Sequence, residues 1–158
     1  MTMAEKYRRL ASELEALMSG EDDIIANLSN ASAAIYGCLE DVNWAGFYAL
    51  RGDTLILHPF QGKPACIRIP VGKGVCGSAV AEDEAQLVPD VHDFPGHIAC
   101  DSASNSEIVI PLHAGGRIVG VLDIDSPTVG RFTEEDLNGL KLSAEVIEQA
   151  WERSLNKN

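Results

Sequence analysis

The chain is short of cysteine and of positive charge, and it has no long apolar run. Its 158 residues carry 12 lysines and arginines against 24 aspartates and glutamates, a formal net charge of −12. A field of that sign repels nucleic acid and anionic membrane surfaces, so neither is expected as a partner. No run of 18 apolar residues occurs, which excludes a transmembrane helix of the usual kind. The opening MTMAEKYRRLASELEALMSG is charged throughout and lacks the apolar core of a signal peptide. A cytoplasmic protein is therefore expected. Thiols stay reduced there, so Cys38, Cys66, Cys76 and Cys100 are not expected to form permanent structural disulfides.

Other absences narrow the chemistry. The cysteines are spaced by 28, 10 and 24 positions, with no CxxC and no HxxxH. Zinc ligands usually arrive in close pairs, so no metal is expected. There is no GxSxG for a serine nucleophile. GKGVCG lacks the GK[ST] ending of a phosphate loop. The expectation is a protein with neither metal nor cofactor. No repeat, linker or low-complexity tract divides the chain, and 158 residues suffice for one domain with a sizeable core.

What is present patterns as α+β. Leu10, Leu14 and Leu17 form one helical stripe, and Ile24, Leu28, Ala31, Ile35 and Leu39 another. VNWAGFYAL and TLILHPFQG read as strands around an RGD turn, and ACIRIPV as a short third strand. GKGVCGSAVAEDEA reads as a glycine-rich turn entering a short helix. QLVPDVHDFPGHIACDSASN is about twenty residues with little periodicity, and a loop of that length in a compact domain is usually functional. SEIVIPL, HAGG and RIVGVLDIDS make a strand, a turn and a strand. Thr133 then caps a last helix, with Asp136 three residues on and Leu137, Leu140, Ala144, Ile147 and Trp151 as its stripe. Short connections favour antiparallel pairing, with the terminal helices covering one face of the sheet.

Three groups of residues suggest chemistry. Cys100 stands in the long loop, followed by Asp101 and preceded by His97; a histidine favours a thiolate there and an aspartate opposes it. Cys76 falls beside Gly74 and Gly77 at a helix N-terminus, where the helix dipole lowers a thiol pKa; packing accounts for it equally well. Cys66 heads a strand and, taken alone, reads as structural. Cys38 lies on a helical stripe and reads as a small core hydrophobe. Strand alternation places Val119, Val121, Asp123 and Asp125 on one face. A register that sets Glu107 opposite Asp123 would bring three carboxylates together beside the Cys100 loop, whereas a one-residue slip would turn Glu107 to the other face. Such a group would hold an ammonium ion or donate a proton; the alternative is a solvated strand end. Trp44 and Tyr48 share a face with Gly46 between them, either as core or as an aromatic wall with room for a small ligand.

NWAGFY, PFQGKPACIRIPVGKGVCG, DVHDFPGHIACDSASNSEIVIPL and GVLDIDS together resemble the free methionine-(R)-sulfoxide reductases, a family built on the GAF fold. The resemblance covers about residues 5 to 150. It implies a six-stranded antiparallel sheet flanked by helices, with the fold's ligand cavity used as an active site. It implies that Cys100 is the nucleophile, Cys66 the resolving cysteine and Cys76 a third catalytic-site cysteine. By the same resemblance Glu107, Asp123 and Asp125, with Trp44 and Tyr48, hold the substrate, free methionine sulfoxide. A thioredoxin-type reductant and a homodimer follow as implied partners. A GAF sensor without turnover, or a redox sensor using the same cysteines, is the alternative.

Overall fold

The computed structural model describes residues 1–98, 100 and 102–157; Asp101, which the sequence sets beside the Cys100 thiol, lies outside them. The chain begins with helices α1 (Met3–Met18) and α2 (Ile24–Cys38). Strands β1 (Trp44–Arg51), β2 (Thr54–Gly62) and β3 (Arg68–Pro70) follow. Helix α3 (Gly74–Glu82) leads into a short strand, β4 (Gln86–Val88), that aperiodic sequence had concealed. The hairpin β5 (Ser106–Ala114) and β6 (Arg117–Ser126) precedes the last helix, α4 (Glu134–Leu155). The six strands form one antiparallel sheet in the order β3-β2-β1-β6-β5-β4. The expected six-stranded α+β architecture is what the chain adopts.

Helices α1, α2 and α4 bury one face of the sheet, where Leu28, Ile35, Leu140 and Ile147 pack on Phe47, Ile108, Leu122 and Ile124. In α1 the buried stripe is Tyr7, Leu10, Leu14 and Met18, whereas Leu17 is 44% exposed. The leucine spacing had suggested Leu17; the 3.6-residue period carries the stripe to Met18 instead. The Tyr7 hydroxyl donates to Asp136 at 2.7 Å and Arg153 donates to the Met18 carbonyl at 3.0 Å, tying the first helix to the last. Thr133 and Asp136 complete the capping box at the start of α4. The opposite face of the sheet carries α3 and the connecting segments, over a smaller core of Trp44, Tyr48, Ile69, Cys76, Val109 and Val121.

One irregularity positions the site. At the tip of the β5–β6 hairpin, Gly115 and Gly116 both have positive φ, as a two-residue primed turn requires. Ala114 pairs with Arg117 and His113 with Ile118, but Leu112 pairs with Gly120. Val119 is thus an extra residue on β6, a β-bulge. Carried on unbroken from the turn, the pairing would set Glu107 opposite Ile124, on the helix-covered face. The bulge restores the phase, and Glu107 lies opposite Asp125. The register expected from sequence, Glu107 against Asp123, is off by two residues, so the predicted face is right and the predicted partner is not. Val119 itself sits in the helix-side core, not with Val121 as simple alternation had it.

Candidate functional site

Directly opposed residues in an antiparallel sheet point the same way, so each cross-strand row can be followed from strand to strand. Trp44 of β1 faces Asp125 of β6, which faces Glu107 of β5. The next row sets Gly46 beside Asp123 and Val109, and Tyr48 faces Val121 one row further. The sheet therefore delivers three carboxyls and two aromatic rings to one patch, on the face away from α1, α2 and α4. Cys76, in the first turn of α3, closes over the same patch. The cavity is lined by Trp44, Tyr48, Cys76, Cys100, Glu107, Asp123 and Asp125, together with Ala65, Ile69, Val75, His97, Ile98 and Ser104. Its empty space, counted out to the open mouth and the solvent there, is about 510 Å³.

Cys66 and Cys100 are joined by a disulfide, with Cα atoms 5.3 Å apart across 34 residues of sequence. The remaining cysteines are free thiols: Cys38 is half-buried at the end of α2, and Cys76 is buried. Cys76 does not behave as a helix-terminus thiolate. Burial pushes its pKa well up, and Asp123, Glu107 and Asp125 push it further, so it stays protonated and donates to Asp123. His97 is shifted the other way: burial, aided by His92, lowers its pKa, which favours a neutral imidazole at the cavity wall.

The acids are not a solvated strand end. Glu107 is 8% exposed and Asp123 is 5% exposed. All three carboxyls are raised well above the usual carboxylate range, first by burial and next by one another's charge. They hydrogen-bond among themselves, and one oxygen each of Asp123 and Asp125 is buried with no hydrogen-bond partner. Asp125 also accepts from Ser104 at 3.4 Å, and Asn43 donates to Ser104 at 3.1 Å, which pins the end of the Cys100 loop to the acid row. A buried acid cluster with idle acceptor atoms is a receptor for a compact cation that brings its own donors. Cys76, Glu107 and Asp123 also place a sulfur and two oxygens within 4.8 Å of one another. Spacing in the sequence cannot reveal such a set, because the three come from α3, β5 and β6.

Trp44 and Tyr48 stack at 6.0 Å between ring centroids, and Trp44 and Phe60 at 5.1 Å. The room expected beside Gly46 is taken by Phe60: a Cβ on Gly46 would lie 2.2 Å from the Phe60 Cβ. The aromatic wall is present, but its gap belongs to β2. All eight residues singled out from sequence border the cavity or, for Cys66, close its rim through the disulfide. Ala65, Ile69, Val75, Ile98 and Ser104 were not foreseen. Ser104 in particular is one small polar residue among several in its segment until the fold sets it beside Asp125.

A GAF-domain family model matches residues 19–152. The free methionine-R-sulfoxide reductase of Escherichia coli (strain K12) is 56% identical over 149 residues, which is 94% of this chain and 90% of the relative. The enzyme of the same name from Saccharomyces cerevisiae is 44% identical over 92% of this chain and 86% of its own. Among solved structures, the free methionine-R-sulfoxide reductase of Neisseria meningitidis in complex with its substrate superposes with a TM-score of 0.94. That protein is 42% identical, over 99% of this chain and 94% of the other. Among the described residues, no helix is long and apolar enough to cross a membrane.

Proposed function

Since the chain belongs to the GAF-domain family and, within it, to the free methionine-R-sulfoxide reductases, we propose the following course for its reaction. It reduces free methionine-(R)-sulfoxide by thiol chemistry, with Cys100 as nucleophile, Cys66 as resolver and the three carboxyls as the substrate's polar receptor. The observation that carries this assignment is the Cys66–Cys100 disulfide at the rim of a cavity floored by Glu107, Asp123 and Asp125.

The substrate's α-ammonium offers the donors that the unpartnered carboxylate oxygens lack. A methionine sulfoxide inside a protein chain has no free α-ammonium, which accounts for selection of the free amino acid. The Trp44 and Tyr48 rings receive the methyl-bearing sulfur end. The Cys100 thiolate attacks the sulfoxide sulfur. One protonated carboxyl of the cluster gives its proton to the oxygen. The hydroxyl then passes from the substrate sulfur to Cys100, so that the substrate's S–O bond and the transient bond between its sulfur and Cys100 both break. Cys100 is left as a sulfenic acid and methionine leaves. Burial and mutual repulsion keep a proton on the cluster at pH values where an exposed carboxylate has none. Cys66 then displaces water from Cys100, and a thioredoxin-type dithiol reopens the disulfide by exchange. Cys76, protonated and bonded to Asp123, supports the acid row.

The same reading takes residues 1–158 as one GAF-like domain, supported by the ties between α1 and α4. It places the protein in a reducing cytoplasm, where a dithiol reductant operates, and as a homodimer, for which Leu17, Ile25 and Tyr36 supply exposed apolar surface on α1 and α2.

A receptor with a fixed ammonium site and a fixed line of attack accepts one sulfur configuration. Free L-methionine-R-sulfoxide is therefore expected to be consumed, and the S epimer and peptide-bound sulfoxide to remain. Chiral separation of the leftover substrate after turnover with dithiothreitol measures this. Equal loss of both epimers refutes the fixed-site reading. Disulfide formation with peroxide but no sulfoxide turnover would make the protein a redox sensor.

A further inference from the structure

The two aromatic residues of the cavity wall each carry one polar atom, and both atoms are spent on the segment that bears Cys66. The Trp44 indole N–H donates to the Lys63 carbonyl at 3.1 Å, and the Tyr48 hydroxyl donates to the Cys66 carbonyl at 3.0 Å. Residues 63–67 have no regular secondary structure, and Lys63, Pro64 and Ile67 are exposed. Burial does little to hold such a segment in place. Beyond the two aromatic donors, the Leu57 amide donates to the Ile67 carbonyl at 2.9 Å. The anchors themselves are rigid. Trp44 and Tyr48 are each 2% exposed, stacked on one another, and carried by β1, which is flanked by strands on both sides.

We propose that Tyr48, assisted by Trp44, is a positioning residue for the resolving step: its hydroxyl holds the Cys66 carbonyl so that the Cys66 sulfur is presented to the oxidised Cys100. This rests on the reading that Cys100 is oxidised first and Cys66 resolves it. In that step the Cys66 sulfur attacks the Cys100 sulfur of the sulfenic acid. The S–S bond forms, the S–O bond breaks, and the hydroxyl leaves as water with the Cys66 proton. The two-electron oxidation already held by Cys100 is shared between the two sulfurs, and no further oxidant is consumed. An ordered attacker reacts faster than one that must be found among many conformations of a free segment. The Tyr48 hydroxyl keeps its proton, and so its role as donor, because burial and the facing acids Asp123, Asp125 and Glu107 disfavour the phenolate. Among groups packed nearby, Cys76 acts in the same sense.

Tyr48→Phe keeps the ring and deletes the anchor. The fully reduced protein is charged with one equivalent of hydrogen peroxide, which oxidises Cys100 without sulfoxide. Disulfide formation is then followed by alkylation and mass spectrometry, and the sulfenic acid by dimedone capture. In parallel, methionine release is timed in a single turnover with the sulfoxide. The expected result is a resolving rate about fivefold or more below the parent's, the scale of one lost hydrogen bond, with a larger dimedone-trapped share. Methionine release should fall by a clearly smaller factor. Trp44→Phe, which loses the Lys63 anchor, should shift the same ratio in the same direction. Unchanged resolution in both variants overturns the proposal. Equal slowing of release and resolution also overturns it, by assigning the two residues to general integrity of the site. Should the parent protein release no methionine at all, the functional reading fails while the peroxide arm still decides the anchoring.

Discussion

Cys100→Ser is expected to release no methionine, even in a single turnover. A serine hydroxyl is far less nucleophilic than a thiolate, and no other thiol in the cavity substitutes for it. Cys76 is the nearest candidate, but burial and the surrounding carboxyls keep it protonated, and its hydrogen bonds with Asp123. Cys66→Ser fails later in the cycle. It should attack once, release about one methionine per site and stall as the Cys100 sulfenic acid, detectable by dimedone. Dithiothreitol should rescue it in part and thioredoxin poorly, because no disulfide forms for exchange. Cys76→Ser should still close the Cys66–Cys100 disulfide while losing kcat/KM through its contact with Asp123. Cys38→Ser, at the half-buried end of α2, should affect stability more than turnover. Quenched methionine release measures all four. A full equivalent from Cys100→Ser, with none from Cys66→Ser or Cys76→Ser, would move the nucleophile.

The second large effect concerns the acids, and it has two signs. Glu107→Gln, Asp123→Asn or Asp125→Asn should lower kcat/KM by at least about tenfold, equivalent to about 1.4 kcal/mol of transition-state stabilisation. The same substitutions should raise the thermal midpoint near neutral pH. Glu107 and Asp123 are buried, Asp125 is half-buried with an enclosed carboxyl oxygen, and each faces like charge, so its pKa is higher folded than unfolded. Above the ordinary carboxylate range, near pH 4, the folded chain therefore binds more protons than the unfolded chain. Stability from these groups is full at acid pH and is lost as pH rises toward their raised folded values. A neutral amide removes that loss. The gain in midpoint should be small at pH 4, grow toward pH 8 and amount to a few degrees, as about 1 kcal/mol does in a domain of this size. Melting curves across that range check it. A lower midpoint than the parent at every pH would show that the acids stabilise the fold instead of taxing it.

Much of this was legible in the chain because it depends on local period. The stripe of α4, the capping box at Thr133 and Asp136, and the two-residue turn at Gly115 and Gly116 all follow from neighbours in sequence. The eight candidate site residues were reached by resemblance, and Asp123 and Asp125 also by alternation along β6. What escaped depends on partners distant in sequence. β4 is three residues long, too short to show a period, and is defined by its pairing with β5. The gap beside Gly46 is open in sequence and filled by Phe60 from the next strand. The acids read equally as a wet strand end until α3 and the segments carrying Cys66 and Cys100 cover them. A cysteine at a helix start reads as acidic until its neighbours across the sheet prove to be carboxyls.

The bulge at Val119 bears on how this hairpin can change over generations. The two faces of β5 serve incompatible purposes, acid cavity on one side and helix-packed core on the other. Gaining or losing a single residue between the turn and Glu107 would exchange them, swinging Ile108 and Ile110 into the cavity and pushing Glu107 under the helices. The turn cannot slide to absorb the change, because Glu148 accepts from the His113 amide and Glu152 from the Gly115 amide, fixing the tip to α4. Lineages of this enzyme can therefore lengthen or shorten the hairpin only by even numbers of residues, or by one with a compensating bulge. A sequence that breaks this rule would keep the outline of the fold while its acid-lined cavity is dismantled.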